Sequence, residues 1–145
     1  MIIFVDDEPM FVHYYLKHLR DSFSKEKVIF CETITEAREA IKKFIGELEI
    51  LIIDIMMPPE PGFEQGTEGG LLTGLVFLEQ IASKLREQNI PVLVLTNRDP
   101  GKIIDIMTVL TESLPGLVIK QKSETPAFIL PSIVSRIIKH HESGG

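Results

Sequence analysis

MIIFVDDEP, residues 1–9, sets five apolar residues in front of three consecutive acids and a proline. The apolar run is too short for a helix, is rich in β-branched residues and ends in charge. That is the pattern of a strand buried on both faces that surfaces at its carboxyl end. The pattern returns in ILIID, residues 50–54, where four apolar residues lead into Asp54. If the two strands lie parallel and adjacent, Asp6, Asp7 and Asp54 converge on one sheet edge, where open α/β sheets place their ligands. Carboxylates crowded in this way repel one another unless protonated or neutralised, and hard oxygen donors select Mg2+ or a similar ion.

Working outward, strand-like and helix-like segments alternate along the chain. Phe11, Val12, Tyr15, Leu16 and Leu19 share one helical face. VIFC, residues 28–31, is a second strand. Thr33 and Glu36 then form a capping-box pattern that opens a helix carrying Ala37, Ile41, Phe44 and Ile45, with Gly46 as its stop. After the strand that delivers Asp54, a helix carries Leu71, Leu75, Leu78, Ala82 and Leu85. PVLVLT, residues 91–96, is a fourth strand, and Asp99-Pro100 caps and begins a helix with Ile103, Ile104, Met107 and Leu110. Residues 117–119 read as a short fifth strand. The last helix carries Ile133, Val134, Ile137 and Ile138, and it either begins near Pro131 or kinks there. Five β-α repeats imply a parallel sheet with helices on both faces, because the crossovers are right-handed.

Residues 58–74, PPEPGFEQGTEGGLLTG, hold three prolines, five glycines and three glutamates. The segment is far longer than the usual βα loop of about two to six residues, and it reads as a solvated surface insertion, with a lid that gates the acidic site or docks a partner as the alternative. No lysine follows its glycines as a phosphate-cradling loop would require. Residues 140–145 lack apolar periodicity and read as a flexible tail, leaving 1–139 as the domain.

With 145 residues, 44% of them hydrophobic, the chain has the length and apolar content of one domain with a substantial core. The formal charge of −6 and the absence of a basic run argue against direct nucleic-acid binding. Cys31 is the single cysteine and reads as a buried structural thiol. No basic leader and no apolar run of about 20 residues is present, so the expectation is a cytoplasmic protein without a membrane span.

The pieces FVDDEP (4–9), IIDIMMP (52–58), GLVFLEQI (74–81), VLVLTN (92–97) and KSETP (122–126) together resemble the receiver domain of two-component response regulators. Each motif alone is weak, and their occurrence in order at five strand ends is specific. The resemblance implies a flavodoxin-like (βα)5 fold with strand order 2-1-3-4-5. It also implies that Asp54 is a phosphoacceptor, supported by Thr96 and Lys122. Asp7, Asp54 and the backbone carbonyl of Met56 would hold Mg2+ directly, with Asp6 acting directly or through water. The implied partners are a sensor histidine kinase or phosphotransfer protein, a downstream effector protein and, at family level, a second copy through the fourth and fifth helices. The chain would be a switch that assists its own phosphorylation and dephosphorylation rather than an enzyme.

The chemistry stands apart from the family. A carboxylate is a weak nucleophile toward a charged phosphoryl group, so transfer depends on positioning and on cations that neutralise the phosphoryl oxygens. Lys122 supplies a compact positive charge, and Thr96 a hydroxyl that bonds a phosphoryl oxygen only in the phosphorylated state. Taken singly, an acid at a strand end is often a helix cap and Thr96 an ordinary strand residue. Glu8 reads as a first-turn acid facing the helix dipole, Lys120 competes with Lys122 for the lysine role but KSETP fits the family's K-x-x-x-P variant and favours Lys122, and the four histidines read as surface residues.

Two positions depart from the family. Ile119 stands where many receivers have an aromatic residue, and Asn97 follows Thr96 where a small residue is usual. Asn97 is expected to change the lifetime of the phosphoryl group, which the rate of acyl-phosphate loss in Asn97→Ala checks. These departures keep open a receiver-like interaction module that works without phosphorylation. A haloacid-dehalogenase type phosphatase needs an acid where Met56 stands, and a toprim-like site needs a spaced acid pair rather than adjacent Asp6 and Asp7.

Overall fold

The computed structural model describes residues 1–57, 73–97, 104–114 and 116–144. Five strands, β1 (Ile2–Val5), β2 (Val28–Cys31), β3 (Ile50–Ile53), β4 (Val92–Thr96) and β5 (Val118–Gln121), form one parallel sheet in the order β2-β1-β3-β4-β5. Around it lie α1 (Pro9–Phe23), α2 (Ile34–Phe44), α3 (Thr73–Glu87), α4 (Ile104–Ser113) and α5 (Leu130–Gly144). This is the flavodoxin-like order that the resemblance implied.

Alternation along the strands divides the core in two. Ile3, Val5, Leu51, Ile53, Val92 and Val94 pack with Ala37 and Ile41 of α2, Leu75, Leu78 and Leu85 of α3 and Leu110 of α4. Ile2, Phe4, Ile50, Ile52, Leu93 and Leu95 turn the other way, onto Val12, Leu16 and Leu19 of α1 and Leu130 and Val134 of α5. Every residue of β1, β3 and β4 is buried, which is why these strands are continuous apolar runs rather than apolar and polar by turns.

The helix ends follow local chemistry. Pro9 falls in the first turn of α1, where its missing N–H would have been unpaired in any case. Thr33 caps α2 by accepting from the Glu36 amide at 3.0 Å. The Glu36 carboxylate reaches back to the amide of Glu32 at 3.4 Å, one residue before the cap.

Four expectations need correction. β5 starts at Val118 and runs to Gln121, because Leu117 is held in a turn by its amide bond to the Leu114 carbonyl at 3.1 Å. Pro91 precedes β4, and its carbonyl accepts from Leu51 at 3.1 Å. The segment after Asp54 has already become helix at Thr73 and Gly74; residues 58–72, with Leu71, lie outside the described residues, as do Asp99, Pro100 and Ile103. Finally, α5 continues through residues 140–144, where a flexible tail was expected. There the His141 ring nitrogen Nε2 lies 2.9 Å from the Asn89 carbonyl, so this histidine ties the helix end down rather than standing free on the surface. Pro131 falls in the first turn of α5, which follows a 3-10 turn at Ala127–Ile129, so the question of a kink is answered by a helix start.

Candidate functional site

The register places the acids. Val5 is level with Ile53 in adjacent parallel strands, so the residues that follow them, Asp6 and Asp54, leave the sheet side by side. The ladder extends one step beyond the strands: the Asp6 amide donates to the Cys31 carbonyl and the Asp54 amide to the Val5 carbonyl, each at 3.0 Å. Both side chains then fold onto their own backbone in the same way. Asp6 Oδ1 accepts from the Glu8 amide at 3.0 Å and Asp54 Oδ1 from the Met56 amide at 2.9 Å, the two-residue closure typical of aspartate. That leaves the second oxygen of each carboxylate aimed inward.

Between those two oxygens sits Lys122, immediately after β5. Its ammonium lies 2.6 Å from Asp6 Oδ2 and 2.6 Å from Asp54 Oδ2. Asp6 is fully buried, and Asp54 and Lys122 are each 5% exposed. Lys120, by contrast, is exposed on β5. Asp7 completes the cluster from a half-buried position, and one carboxylate oxygen from each of Asp6, Asp7 and Asp54 lies within 4.8 Å of the others.

Burial pushes the Asp6 carboxyl up to about 6, against the pull of the Lys122 ammonium and with the Asp54 charge adding to the rise. Asp7 is raised for the same first reason, burial, with the Glu8 and Asp54 charges contributing. Burial disfavours the charged Lys122 ammonium, yet the Asp54 and Asp6 carboxylates outweigh it and hold the lysine above its ordinary value. Three carboxylates thus share one ammonium. An excess of negative charge among oxygen-only donors, one of them open to solvent, suits a hard divalent cation such as Mg2+.

Thr96 ends β4, fully buried, level with Gln121, so it stands one step before Lys122 on the neighbouring strand. Asn97 is exposed just beyond it. Ile119 is half-buried, level with Val94, and packs against the core on the α2 and α3 side. Glu8 is the exposed N-cap residue of α1, with no side-chain cap bond.

Three supporting residues were not singled out for roles by sequence. The Tyr15 hydroxyl donates to the carbonyls of Lys122 and Thr125, at 3.1 and 2.6 Å, and so fixes the turn that carries the lysine. Thr125 donates its own hydroxyl to the Gln121 carbonyl at 2.8 Å, closing that turn from the other side. Gly74 brings the start of α3 against the end of β3: its amide donates to the Ile55 carbonyl at 3.0 Å, and a Cβ there would stand 2.6 Å from Ile55 Cα and collide with the Asp54 carbonyl oxygen. Cys31 lies under the site with its carbonyl on Asp6, and burial pushes its thiol up to about 11, which suits a structural role.

No family model matches the chain, and no curated protein sequence does. Solved structures do match. A response regulator receiver domain protein from Clostridium thermocellum superposes with a TM-score of 0.68 at 18% identity, covering 99% of this chain and 98% of that one. A response regulator from Desulfuromonas acetoxidans gives 0.67 at 18% identity, with 96% of each chain covered. The isolated REC domain of RcsB from Salmonella enterica serovar Typhimurium, solved in the presence of the phosphomimetic BeF3-, gives 0.61 at 20% identity over 95% of this chain and 87% of that one. The chain therefore has the fold of response regulator receiver domains. Among the described residues no helix is long and apolar enough to cross a membrane.

Proposed function

We propose that this chain is the phosphoacceptor receiver of a two-component phosphorelay, with Asp54 as the residue that takes the phosphoryl group. The observation that carries the reading is the meeting of Asp6, Asp7 and Asp54 within 4.8 Å around the buried Lys122 ammonium, at the carboxyl edge of a receiver-type sheet. The partners proposed with this reading are a sensor histidine kinase or phosphotransfer protein upstream and an effector protein downstream. A second copy of the chain is a further candidate partner.

In the proposed transfer an Asp54 carboxylate oxygen forms a bond to phosphorus as the P–N bond of a phosphohistidine breaks, and the electron pair returns to the imidazole. Asp54 Oδ1 is held by the Met56 amide, so the carboxylate is oriented before the donor arrives. Asp6, Asp7 and Asp54, with the Met56 carbonyl, would hold Mg2+, which when bound neutralises the phosphoryl oxygens. Lys122, already against Asp54, moves its charge onto the new phosphoryl group, and Thr96 donates its hydroxyl to it. Loss of the Lys122 contact with Asp54 then alters the turn held by Tyr15 and Thr125 and with it the start of α5, which makes a local charge event into a change of surface. The chain assists its own phosphorylation and hydrolysis without being an enzyme in the turnover sense, in a cytoplasmic setting.

Incubating the chain with acetyl phosphate in Mg2+ or in EDTA, followed by intact mass, tests the reading. The expected result is a gain of one phosphoryl group in Mg2+ alone. No gain in either condition would instead support a receiver-like interaction module that works unphosphorylated.

A further inference from the structure

A second site lies at the opposite end of the sheet from the acid cluster. β5 is an edge strand, and unlike β1, β3 and β4 it is only partly covered. Between it and α5 opens a cavity of about 380 Å³. Its apolar wall is made by Leu117, Val118, Ile133 and Ile137, all half-buried, so each loses water on one side only.

The charge around this wall runs against that of the chain. Lys120, Arg136 and His140, all exposed, line the cavity, and among the described residues no carboxylate does. Neither Lys120 nor Arg136 makes an ion pair with any described residue. In a chain of formal charge −6, Lys120 and Arg136 are thus two cations without a described counter-ion over apolar surface. His141 closes the far end, and its ring is fixed because Nε2, facing the Asn89 carbonyl at 2.9 Å, must be the donor.

We propose that the β5–α5 groove binds a small anionic amphiphile, with a carboxylate or phosphate monoester held by Arg136 and Lys120 and an apolar body laid on Leu117, Val118, Ile133 and Ile137. Two features select this occupant. The volume falls in the range of about 300–1,000 Å³ that suits small-molecule pockets, and a planar guanidinium beside a flexible ammonium matches an anionic oxygen pair. The site is independent of the phosphoacceptor reading, since none of the residues named for it belongs to the acid cluster.

Amide NMR spectra of the 15N-labelled full chain, titrated with decanoate, octyl phosphate, decanol and inorganic phosphate below micelle-forming concentrations, test the proposal. Decanoate or octyl phosphate is expected to shift the amides of residues 116–120 and 133–141 saturably, and decanol and inorganic phosphate to bind more weakly. Whichever anion binds more tightly assigns the headgroup as carboxylate or phosphate. Arg136→Ala combined with Lys120→Ala, both at exposed positions, is expected to weaken binding about tenfold or more. Saturable shifts confined to other residues, an affinity unchanged in the double variant, or binding of an acidic peptide where neither amphiphile binds would each overturn it.

Discussion

At the scale of single residues, the site is one ammonium divided between two buried carboxylates. The Asp6 carboxyl stands at about 6 in the folded chain against 3.8 as its ordinary value, chiefly through burial. Between those two values the folded chain binds more protons than the unfolded one. Stability contributed by the neutral Asp6 is therefore fully present below the lower value and lost as pH rises through about 6. Urea unfolding of the metal-free protein should show the wild type losing stability relative to Asp6→Asn between about pH 4 and pH 7, and a wild type that gains relative to the variant over that window would contradict the reading. These acids were legible in the sequence because each interrupts an apolar run at the point where a buried strand surfaces. The KSETP motif favoured Lys122 over Lys120, and burial with two 2.6 Å carboxylate contacts sets Lys122 apart from its exposed neighbour.

The elements around the site hold it through backbone contacts that leave little trace in the chain. Gly74 reads as one glycine among several in a glycine-rich stretch, yet its lack of a Cβ lets α3 begin against the Asp54 and Ile55 backbone. Gly74→Ala should force α3 away from β3, cost about 1–3 kcal/mol in urea unfolding and slow phosphorylation of Asp54. Wild-type stability and rate would show that the close approach is not needed. Tyr15 reads as one more member of the apolar stripe of α1, because its hydroxyl partners are backbone carbonyls more than a hundred residues away. Tyr15→Phe should cost about 1–2 kcal/mol and raise amide exchange in residues 122–125, whereas unchanged exchange there would remove Tyr15 from the support of the lysine turn. The same distance effect hid the end of α5: the polar run after residue 139 gives no periodic signal, and the helix is secured instead by His141 on the Asn89 carbonyl.

Over the whole molecule, alternating apolar runs and amphipathic stretches made a parallel α/β sheet readable, because β1, β3 and β4 are buried on both faces and are apolar nearly throughout. Strand order was not written in that pattern. It came with the motif resemblance, and the ladders bear it out by setting β1 between β2 and β3. That order brings residues 6, 54 and 122 to one edge, while the β5–α5 groove opens at the other. The fold thus separates a buried, acid-rich edge from a half-covered, cationic one. Labelling the Mg2+-loaded chain with acetyl phosphate and mapping the acyl phosphate by peptide mass should place the phosphoryl group on Asp54 and show none in Asp54→Asn. A label on another residue, or one that persists in Asp54→Asn, would contradict the account.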